Sequence, residues 1–288
     1  MTSSAEETGM GTVTSLDGTR IGFHRRGSGP GVVLIQGAMG TAFNYEELAD
    51  ALASSFTVYT PDRRGRGMSP KRYEPEHVIA RDVEDVDALL AETGAGQIFG
   101  LSSGGMIALE ATRTLGRVKK AAIYEPPFYA AGIDSDLIRQ FNTELDRGDL
   151  ASAMVSAGRI VGLAPAPVKI LPKSIARQLT GAVIRANDKD SSPHAKLRDL
   201  IPTMPYDFND VSSMQGKIER MASIGKPVLL LSGTKSPAYL RQSVRSLARI
   251  IPGSKHIEFS GLDHSGAWNV SRGGHPETVA AALRDFFS

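Results

Sequence analysis

Residues 97–104 read QIFGLSSG, a short apolar run that ends in the pattern Gly-x-Ser-x-Gly. The run predicts a strand, and the apolar spacing from residue 106 to residue 115 predicts a helix soon after it. A strand that turns abruptly into a helix needs glycine at Gly100 and Gly104, because side chains there would clash. The turn pushes Ser102 outward in a strained conformation, and the helix N-terminus directs partial positive charge towards a developing oxyanion. The pattern therefore predicts a serine nucleophile, the alternative being a glycine-rich turn without chemistry.

Strands and helices alternate on both sides of this stretch. Residues 31–36 form a continuous apolar run, which is typical of a strand buried on both faces of a parallel sheet. The remaining elements are a hairpin at 13–25, strands at 56–60, 119–124, 227–231 and 255–259, and helices at 44–53 (with Asn44 as its N-cap), 76–93, 238–251 and 276–287. The alternation predicts an α/β fold, with a mostly parallel sheet flanked by helices.

The alternation is interrupted between residues 126 and 224. No convincing strand is predicted there, and helical spacing recurs at 136–145, 151–161, 171–186 and 210–222. A segment of this length must bury its own apolar faces, so we expect a helical cap over the carboxyl edge of the sheet. The predicted domains are a disordered tail (1–10), an α/β core (11–125 and 225–288) and the cap (126–224).

Composition excludes several classes of protein. Hydrophobic residues make up 41% of the 288 residues and charged residues 22%, as in ordinary globular proteins. The 33 basic and 31 acidic residues give a net charge of +2 without a clustered basic face, so no nucleic-acid partner is expected. The chain has no cysteine, which excludes disulfides, a thiolate nucleophile and cysteine-bound metal.

The apolar runs are also short. None approaches the roughly 20 residues that span a membrane, and residues 1–10 are polar, without the apolar segment of a signal peptide. We therefore expect a cytoplasmic protein with no membrane partner.

Several motifs around the serine turn resemble those of the α/β-hydrolase fold family. They are Gln36-Gly37-Ala38-Met39-Gly40 after the first long strand, the loop 62–69 (DRRGRGMS), Gly261-Leu262-Asp263-His264 after the last strand, and His275-Pro276-Glu277 before the final helix. The insertion also lies where that family carries its helical cap. The resemblance covers nearly the whole chain and implies a serine hydrolase with a catalytic triad.

The triad base is predicted to be His264. A serine hydroxyl is a poor nucleophile and needs a general base within hydrogen-bond reach. The chain has six histidines, and only His264 lies on a loop just after the last strand, where this family places its catalytic histidine. The others lie in a hairpin, in a strand, in the cap or at the start of a helix.

The triad acid is less clearly marked. The family often places an aspartate after the strand at 227–231, but the chain reads Gly-Thr-Lys-Ser-Pro at 233–237. Glu125 ends the strand that follows the serine turn, and parallel strands bring their carboxyl ends to one edge of the sheet. Glu125 is therefore the predicted acid. Asp263 on the histidine loop is the rival, and Asp207 or Asp210 could serve if the cap folds down.

Two backbone N–H groups, those of Ala38 and Ser103, are the predicted oxyanion hole. Gln36 stands where the family usually has histidine, and its amide could pin this loop by hydrogen bonds. Gln36 and Met39 are also candidate substrate-binding residues, together with Tyr206 and Phe208 near the end of the cap. The two aromatic residues could instead pack against the sheet.

Arginines in the loop 62–69 offer a different possibility. Arg63, Arg64 and Arg66 could bind an anion, although a structural role for this loop is the more ordinary interpretation.

Together these features predict a serine hydrolase that cleaves a carboxylic ester, lactone or thioester of an apolar small molecule through an acyl-enzyme. No metal and no organic cofactor are expected. The alternatives are C–C-bond, cyclisation or elimination chemistry in the same pocket, or a receptor that binds a ligand without catalysis.

Overall fold

A computed structural model describes residues 8–129, 132–162, 171–191 and 195–288, and an eight-stranded sheet lies at its centre. The strands are β1 (Gly9–Thr14), β2 (Arg20–Arg26), β3 (Gly31–Ile35), β4 (Thr57–Pro61), β5 (Gln97–Leu101), β6 (Lys120–Tyr124), β7 (Val228–Gly233) and β8 (Lys255–Phe259). Their spatial order is β1-β2-β4-β3-β5-β6-β7-β8. β2 pairs antiparallel with β1 and β4, and the other pairs are parallel. The predicted α/β class with a mostly parallel sheet is confirmed.

Helices cover both faces of this sheet. They are α1 (Glu46–Ala53), α2 (Ile79–Thr93), α3 (Ser103–Thr114), α4 (Ser135–Asp146), α5 (Leu150–Ile160), α6 (Lys173–Asp188), α7 (Leu197–Leu200), α8 (Met204–Met214), α9 (Ala238–Ile250) and α10 (Pro276–Phe287), with short 3₁₀ helices at Ala42–Tyr45, Ile201–Thr203, Ile218–Ser223 and Val270–Arg272. Side chains alternate across a strand, so Val33 packs in a cluster with α2, α3 and α9, whereas Val32 packs in another with α1 and α10. The sheet is therefore buried on both faces.

Some predicted boundaries differ from the observed ones. β1 begins at Gly9, so Gly9 and Met10 of the predicted tail pair with β2, while residues 1–7 lie outside the described part of the chain. Asn44 does not cap α1. Asn44 belongs to the 3₁₀ helix at 42–45, and its side chain accepts a hydrogen bond from the N–H of Thr41, the residue before that helix. Helix α1 begins only at Glu46, two residues after Asn44.

Helices α4 to α8 lie between β6 and β7, in the predicted cap. The described residues of 126–224 contain no strand. These helices share an apolar cluster that includes Phe141 of α4, Ala157 of α5, Ile184 of α6 and Phe208 of α8. The last predicted helix, 210–222, is wrong in position, since α8 ends at Met214 and the chain then passes Gly216 with a positive φ of 69°. None of the helices in the described ranges is both long and apolar enough to cross a membrane.

Helix α8 joins the cap to the core, packing on α2 and α3. Its contact with the core includes a buried group of charges, here called the cap–core ion cluster: Arg63, Arg66, His77 and Asp82 of the core with Asp207 and Asp210 of α8. Arg63 Nη1 lies 2.7 Å from Asp207 Oδ1 and Arg63 Nη2 lies 2.6 Å from Asp210 Oδ2. The arginine loop is thus structural, as the more ordinary interpretation of the sequence predicted.

His77 supplies a third positive charge to the cap–core ion cluster. Its Nε2 lies 2.9 Å from Asp82 Oδ2 and 3.1 Å from Asp210 Oδ1. Burial opposes protonation of the ring, but hydrogen bonds to Asp210 and Asp82 and their negative charge outweigh burial and raise the pKa of His77 to about 9. With His77 protonated, three cations lie beside three carboxyl groups, and burial together with the charge of Asp82 raises the pKa of Asp210 to about 7.

This shift predicts a pH-dependent contribution to stability. The pKa of His77 is about 6.5 in an unfolded chain and about 9 when folded, so its stabilisation is complete below pH 6.5 and is lost as the pH rises through 9. The free energy of unfolding should therefore differ more between the protein and His77→Asn at pH 6.5 than at pH 10, by up to about 3 kcal/mol. Urea unfolding at both pH values measures this, and an equal difference at both would contradict a charged His77.

Candidate active site

Ser102 occupies a sharp turn between β5 and α3. Its φ is 57° and its ψ is −125°, while the residues on either side belong to the strand and to the helix. A Cβ on Gly100 would lie 2.3 Å from the carbonyl oxygen of Gly104, and one on Gly104 would lie 2.4 Å from that of Gln36. Both glycines are therefore required for this close packing, and the predicted strand–turn–helix is present.

Glu125 follows β6 directly and reaches His264. Its side chain is fully buried, and Oε2 lies 2.7 Å from His264 Nδ1. The other oxygen, Oε1, accepts a 2.8 Å hydrogen bond from the N–H of Gly233, at the end of β7. The backbone of Glu125 has a positive φ of 46°, and its N–H donates to the carbonyl of Leu231. The carboxylate is thus held from two sides and bonds to the imidazole.

The rival carboxylates have other partners. Asp263 Oδ1 accepts hydrogen bonds from the N–H and the hydroxyl of Ser265, so this side chain turns back onto its own loop. Asp207 and Asp210 bind arginines in the cap–core ion cluster. Among the three acids that the sequence offered besides Glu125, none is paired with His264 within the described residues.

The histidine loop is held by a residue that sequence reasoning missed. The hydroxyl of Tyr124, the last residue of β6, donates a 2.7 Å hydrogen bond to the carbonyl of Asp263. Gly266 makes room for this contact, because a Cβ there would lie 2.4 Å from the same hydroxyl oxygen. Tyr124 therefore fixes the residue before His264, and nothing in the local motif marks it for that role.

Ala38 and Ser103 border the cavity beside Ser102. Since α3 begins at Ser103, the N–H of this residue has no acceptor within its own helix. The loop that carries Ala38 passes close to Ser102, as a Cβ on Gly37 would lie 2.9 Å from Ser102 Cβ. Met39, next in this loop, has a positive φ of 57°. Both predicted oxyanion donors therefore lie on segments adjacent to Ser102.

A cavity of about 440 Å³ opens over Ser102 and His264. The core contributes Met39 and Trp268, and the cap contributes a wall made mostly of aliphatic side chains from α5, α6 and α8. That wall includes Met154, Val155, Val183, Ile184 and Val211. A mostly apolar cleft with a few convergent polar groups is the usual form of a small-molecule site.

The four predicted substrate-binding residues divide evenly. Met39 and Phe208 line the cavity. Gln36 does not, and its predicted contact with substrate is wrong, because the side chain is fully buried and its Nε2 donates to the carbonyl of Pro61 at 2.8 Å. Gln36 instead holds the loop 36–40 by this hydrogen bond, which is the structural role that the sequence also suggested.

Tyr206 is also wrong as a substrate contact. Its hydroxyl donates to the carbonyl of Lys71 at 3.2 Å, and its ring packs 4.8 Å from that of His77, on the far side of α8. Tyr206 and Phe208 are two residues apart on one helix, which separates them by about 200° around its axis. Only one of the pair can therefore face the cavity.

Sequence reasoning also missed several residues of the cavity wall. Trp268, Tyr129 and Tyr239 border it, and so does Asp207, the carboxylate that pairs with Arg63. Trp268 is the only tryptophan of the chain and lies four residues after His264, which is the one local signal that could have marked it.

Within the described part of the chain, one group has the spacing of metal ligands: His77, Asp82 and Asp210, whose ligand atoms lie within 4.8 Å of one another. Their geometry suits ion pairing better than metal binding. Arg63 already donates to both carboxylates, and the raised pKa of His77 keeps the ring nitrogen protonated, whereas a ligand must be neutral imidazole.

Comparison with known proteins gives the chain a family. The model of the alpha/beta hydrolase family matches residues 32–282. An alpha/beta hydrolase from Sphaerobacter thermophilus has a solved structure with a TM-score of 0.78 and 30% identity, and the match covers 96% of this chain and 100% of that one.

Two sequence relatives add to this. The pimeloyl-[acyl-carrier protein] methyl ester esterase of Stenotrophomonas maltophilia is 26% identical over 269 residues, which is 90% of this chain and 93% of that protein. The uncharacterized hydrolase YraK of Bacillus subtilis is 35% identical over 96 residues, 32% of this chain and 35% of that protein. The fold, the serine turn and these matches agree: the chain belongs to the alpha/beta hydrolase family and is a hydrolase.

Proposed function

We propose that this hydrolase is a serine esterase that cleaves a carboxylic ester, lactone or thioester of an apolar small molecule through an acyl-enzyme. Ser102 is the nucleophile, His264 the general base and Glu125 the orienting acid. The observation that carries the proposal is the 2.7 Å hydrogen bond from His264 to Glu125 at the edge of the cavity that Ser102 also borders.

The Glu125 bond sets the protonation of the imidazole. With Nδ1–H donated to Glu125 Oε2, the other nitrogen of His264, Nε2, is left as the acceptor for the hydroxyl proton of Ser102. Because Gly233 holds Oε1, the carboxylate cannot rotate away from the ring. The buried negative charge also stabilises the imidazolium that forms when the proton moves.

Catalysis then follows two balanced steps. Ser102 Oγ attacks the carbonyl carbon while His264 takes its proton, and the oxyanion accepts hydrogen bonds from the N–H groups of Ala38 and Ser103. The tetrahedral adduct expels the alcohol or thiol, which receives the proton from His264. Water then attacks the acyl-enzyme while the same imidazole takes its proton, and the second tetrahedral adduct collapses to the acid as His264 returns that proton to Ser102 Oγ.

The cavity supports an apolar substrate. Its cap wall is mostly aliphatic, and burial of each methylene contributes about 0.8 kcal/mol. The Stenotrophomonas maltophilia relative is named as a methyl ester esterase, which supports the same reaction class. C–C-bond chemistry and ligand binding without catalysis are the alternatives, and the nucleophile test below separates both from acyl transfer.

The first prediction concerns the nucleophile. Ser102→Ala should fold like the parent protein and lose turnover on the order of a million-fold, since nucleophile and base act as a unit. A fluorophosphonate should label the parent at Ser102 and leave the variant unlabelled, as peptide mass spectrometry can measure. A folded parent protein that resists labelling, or a variant that keeps several per cent of turnover, would contradict covalent catalysis.

The second prediction separates the two candidate acids. Glu125→Gln should lower kcat by about a thousandfold or more, because the amide cannot stabilise the imidazolium. Asp263→Asn, matched in chemistry and one residue from the base, should change kcat less than tenfold. Steady-state kinetics on one ester decide between them. The opposite ranking would assign the role to Asp263.

The third prediction concerns the cap wall. On p-nitrophenyl esters, kcat/KM should rise at least about tenfold from acetate to hexanoate, as each added methylene is buried. Ile184→Trp fills the cavity and should remove most of this gain while leaving acetate hydrolysis nearly unchanged. Ile175→Trp on the same helix is the matched control, because Ile175 is 44% exposed and does not line the cavity. Equal behaviour of the two variants would mean that the substrate chain does not enter the cap.

A further inference from the structure

Asp207 of α8 is linked by hydrogen bonds to both backbone segments that carry the predicted oxyanion donors. We propose that Asp207 of α8 is a positioning residue whose two carboxylate oxygens fix the two backbone segments that supply the oxyanion donors. The inference rests on the proposed function, since it deepens the role of Ala38 and Ser103. It assigns Asp207 no contact with the reacting atoms.

One oxygen of Asp207 holds the Ser103 segment. Oδ1 accepts a 2.6 Å hydrogen bond from the hydroxyl of Ser103 and a 2.7 Å bond from Arg63 Nη1. The same Nη1 lies 3.2 Å from Ser103 Oγ and 3.3 Å from the carbonyl oxygen of Gln36, at the end of β3. The backbone N–H of Ser103 therefore lies at the start of α3, next to Ser102, while its hydroxyl bonds to Asp207 of the cap.

The other oxygen of Asp207 holds the Ala38 segment through Arg66. Oδ2 pairs with Arg66 Nη2, and Nη1 of this arginine donates to the carbonyls of Gly37 at 2.9 Å and Gly40 at 3.2 Å. These two carbonyls flank Ala38 in the chain. The Arg66 side chain is fully buried, so its fork is fixed in one orientation.

One carboxylate thus links two segments that are far apart in sequence. Hydrogen-bond donors stabilise an oxyanion only when they are already aimed at it, since reorientation during the reaction would cost the energy that they supply. Such groups must be held to within about 0.5 Å of their productive positions. Asp207 bonds directly to the Ser103 segment and, through Arg66, to the segment that carries Ala38.

Charge balance fits the same role. A bare carboxylate next to the oxyanion hole would repel the developing negative charge. Arg63 and Arg66 both pair with Asp207, so it can anchor donors near Ser102 without imposing a net negative charge there.

Asp210 provides a natural control for a merely structural effect. It lies on the same helix, is fully buried, and pairs with Arg63 at 2.6 Å and with His77 at 3.1 Å. Its carboxylate makes no hydrogen bond to Ser103 or Arg66 within the described residues. Loss of Asp210 therefore removes one carboxylate from Arg63 and weakens the docking of α8, while the hydrogen bonds of Asp207 to both oxyanion segments remain.

The experiment compares Asp207→Asn, Ser103→Ala and Asp210→Asn in the full chain. Steady-state kinetics on p-nitrophenyl butyrate give kcat and KM, and a trifluoromethyl ketone, which forms a tetrahedral adduct with the serine, reports on the oxyanion hole. We expect Asp207→Asn and Ser103→Ala to lower kcat about tenfold or more and to weaken the ketone to a similar degree, with KM changed less than about twofold. Asp210→Asn should stay within about threefold for kcat and for ketone binding, at a comparable loss of thermal stability.

Several outcomes would overturn the inference. Equal losses of kcat in Asp207→Asn and Asp210→Asn would mean that only docking of the cap matters, and so would an effect confined to KM. If Asp207→Asn does not fold, Ser103→Ala decides, because it removes only the hydroxyl anchor. An unchanged kcat in that variant refutes the proposal.

A failure of the proposed function can be distinguished from a failure of the positioning role by labelling. If the proposed function is wrong, a fluorophosphonate does not label the parent protein at Ser102. Failure of the positioning role leaves labelling of the parent intact, and the Asp207→Asn and Ser103→Ala variants then match the parent in kcat and ketone binding.

Discussion

Two buried arginines constrain the rest of this molecule. Arg63 and Arg66 extend from the loop after β4 into the interior, where an uncompensated charge is strongly unfavourable. Removing one partner from a buried ion pair typically costs about 3–5 kcal/mol. The chain therefore has to deliver carboxylates to that point, and it brings two of the three from α8. Docking of the cap and burial of the two arginines are therefore energetically coupled.

This coupling restricts how the cap can move relative to the core. A lid that rested on the core through apolar contacts alone could tilt without disturbing the catalytic residues. Here, any large movement of α8 would separate Asp207 and Asp210 from the arginines. Helices α4, α5 and α6 pack in sequence on one another, and α5 and α6 contribute much of the aliphatic wall without taking part in this ion cluster.

The limits of sequence reasoning follow from the range of each interaction. The serine turn is local, so its pattern predicted it. Glu125 required only topology, because Leu101 and Tyr124 are partners in the parallel ladder of β5 and β6, and their next residues emerge together at its edge. Asp207 bonds to Arg63 across 144 residues. No rule of sequence spacing predicts that pairing. The orientation of Tyr206 depends on which face of α8 is turned towards the cavity, and the sequence does not determine that face.

Three residues without glycine's freedom have positive φ among the described residues, and all three belong to the site: Met39, Ser102 and Glu125. Such conformations cost on the order of 1–3 kcal/mol each, and surrounding packing must impose them. The strained backbones thus lie at the edge of the sheet that carries the candidate site. Selection for stability alone would favour substitutions that relax these three backbones, and such substitutions would disturb the proposed triad. If related chains keep these strained turns, selection has acted on function and not on stability alone.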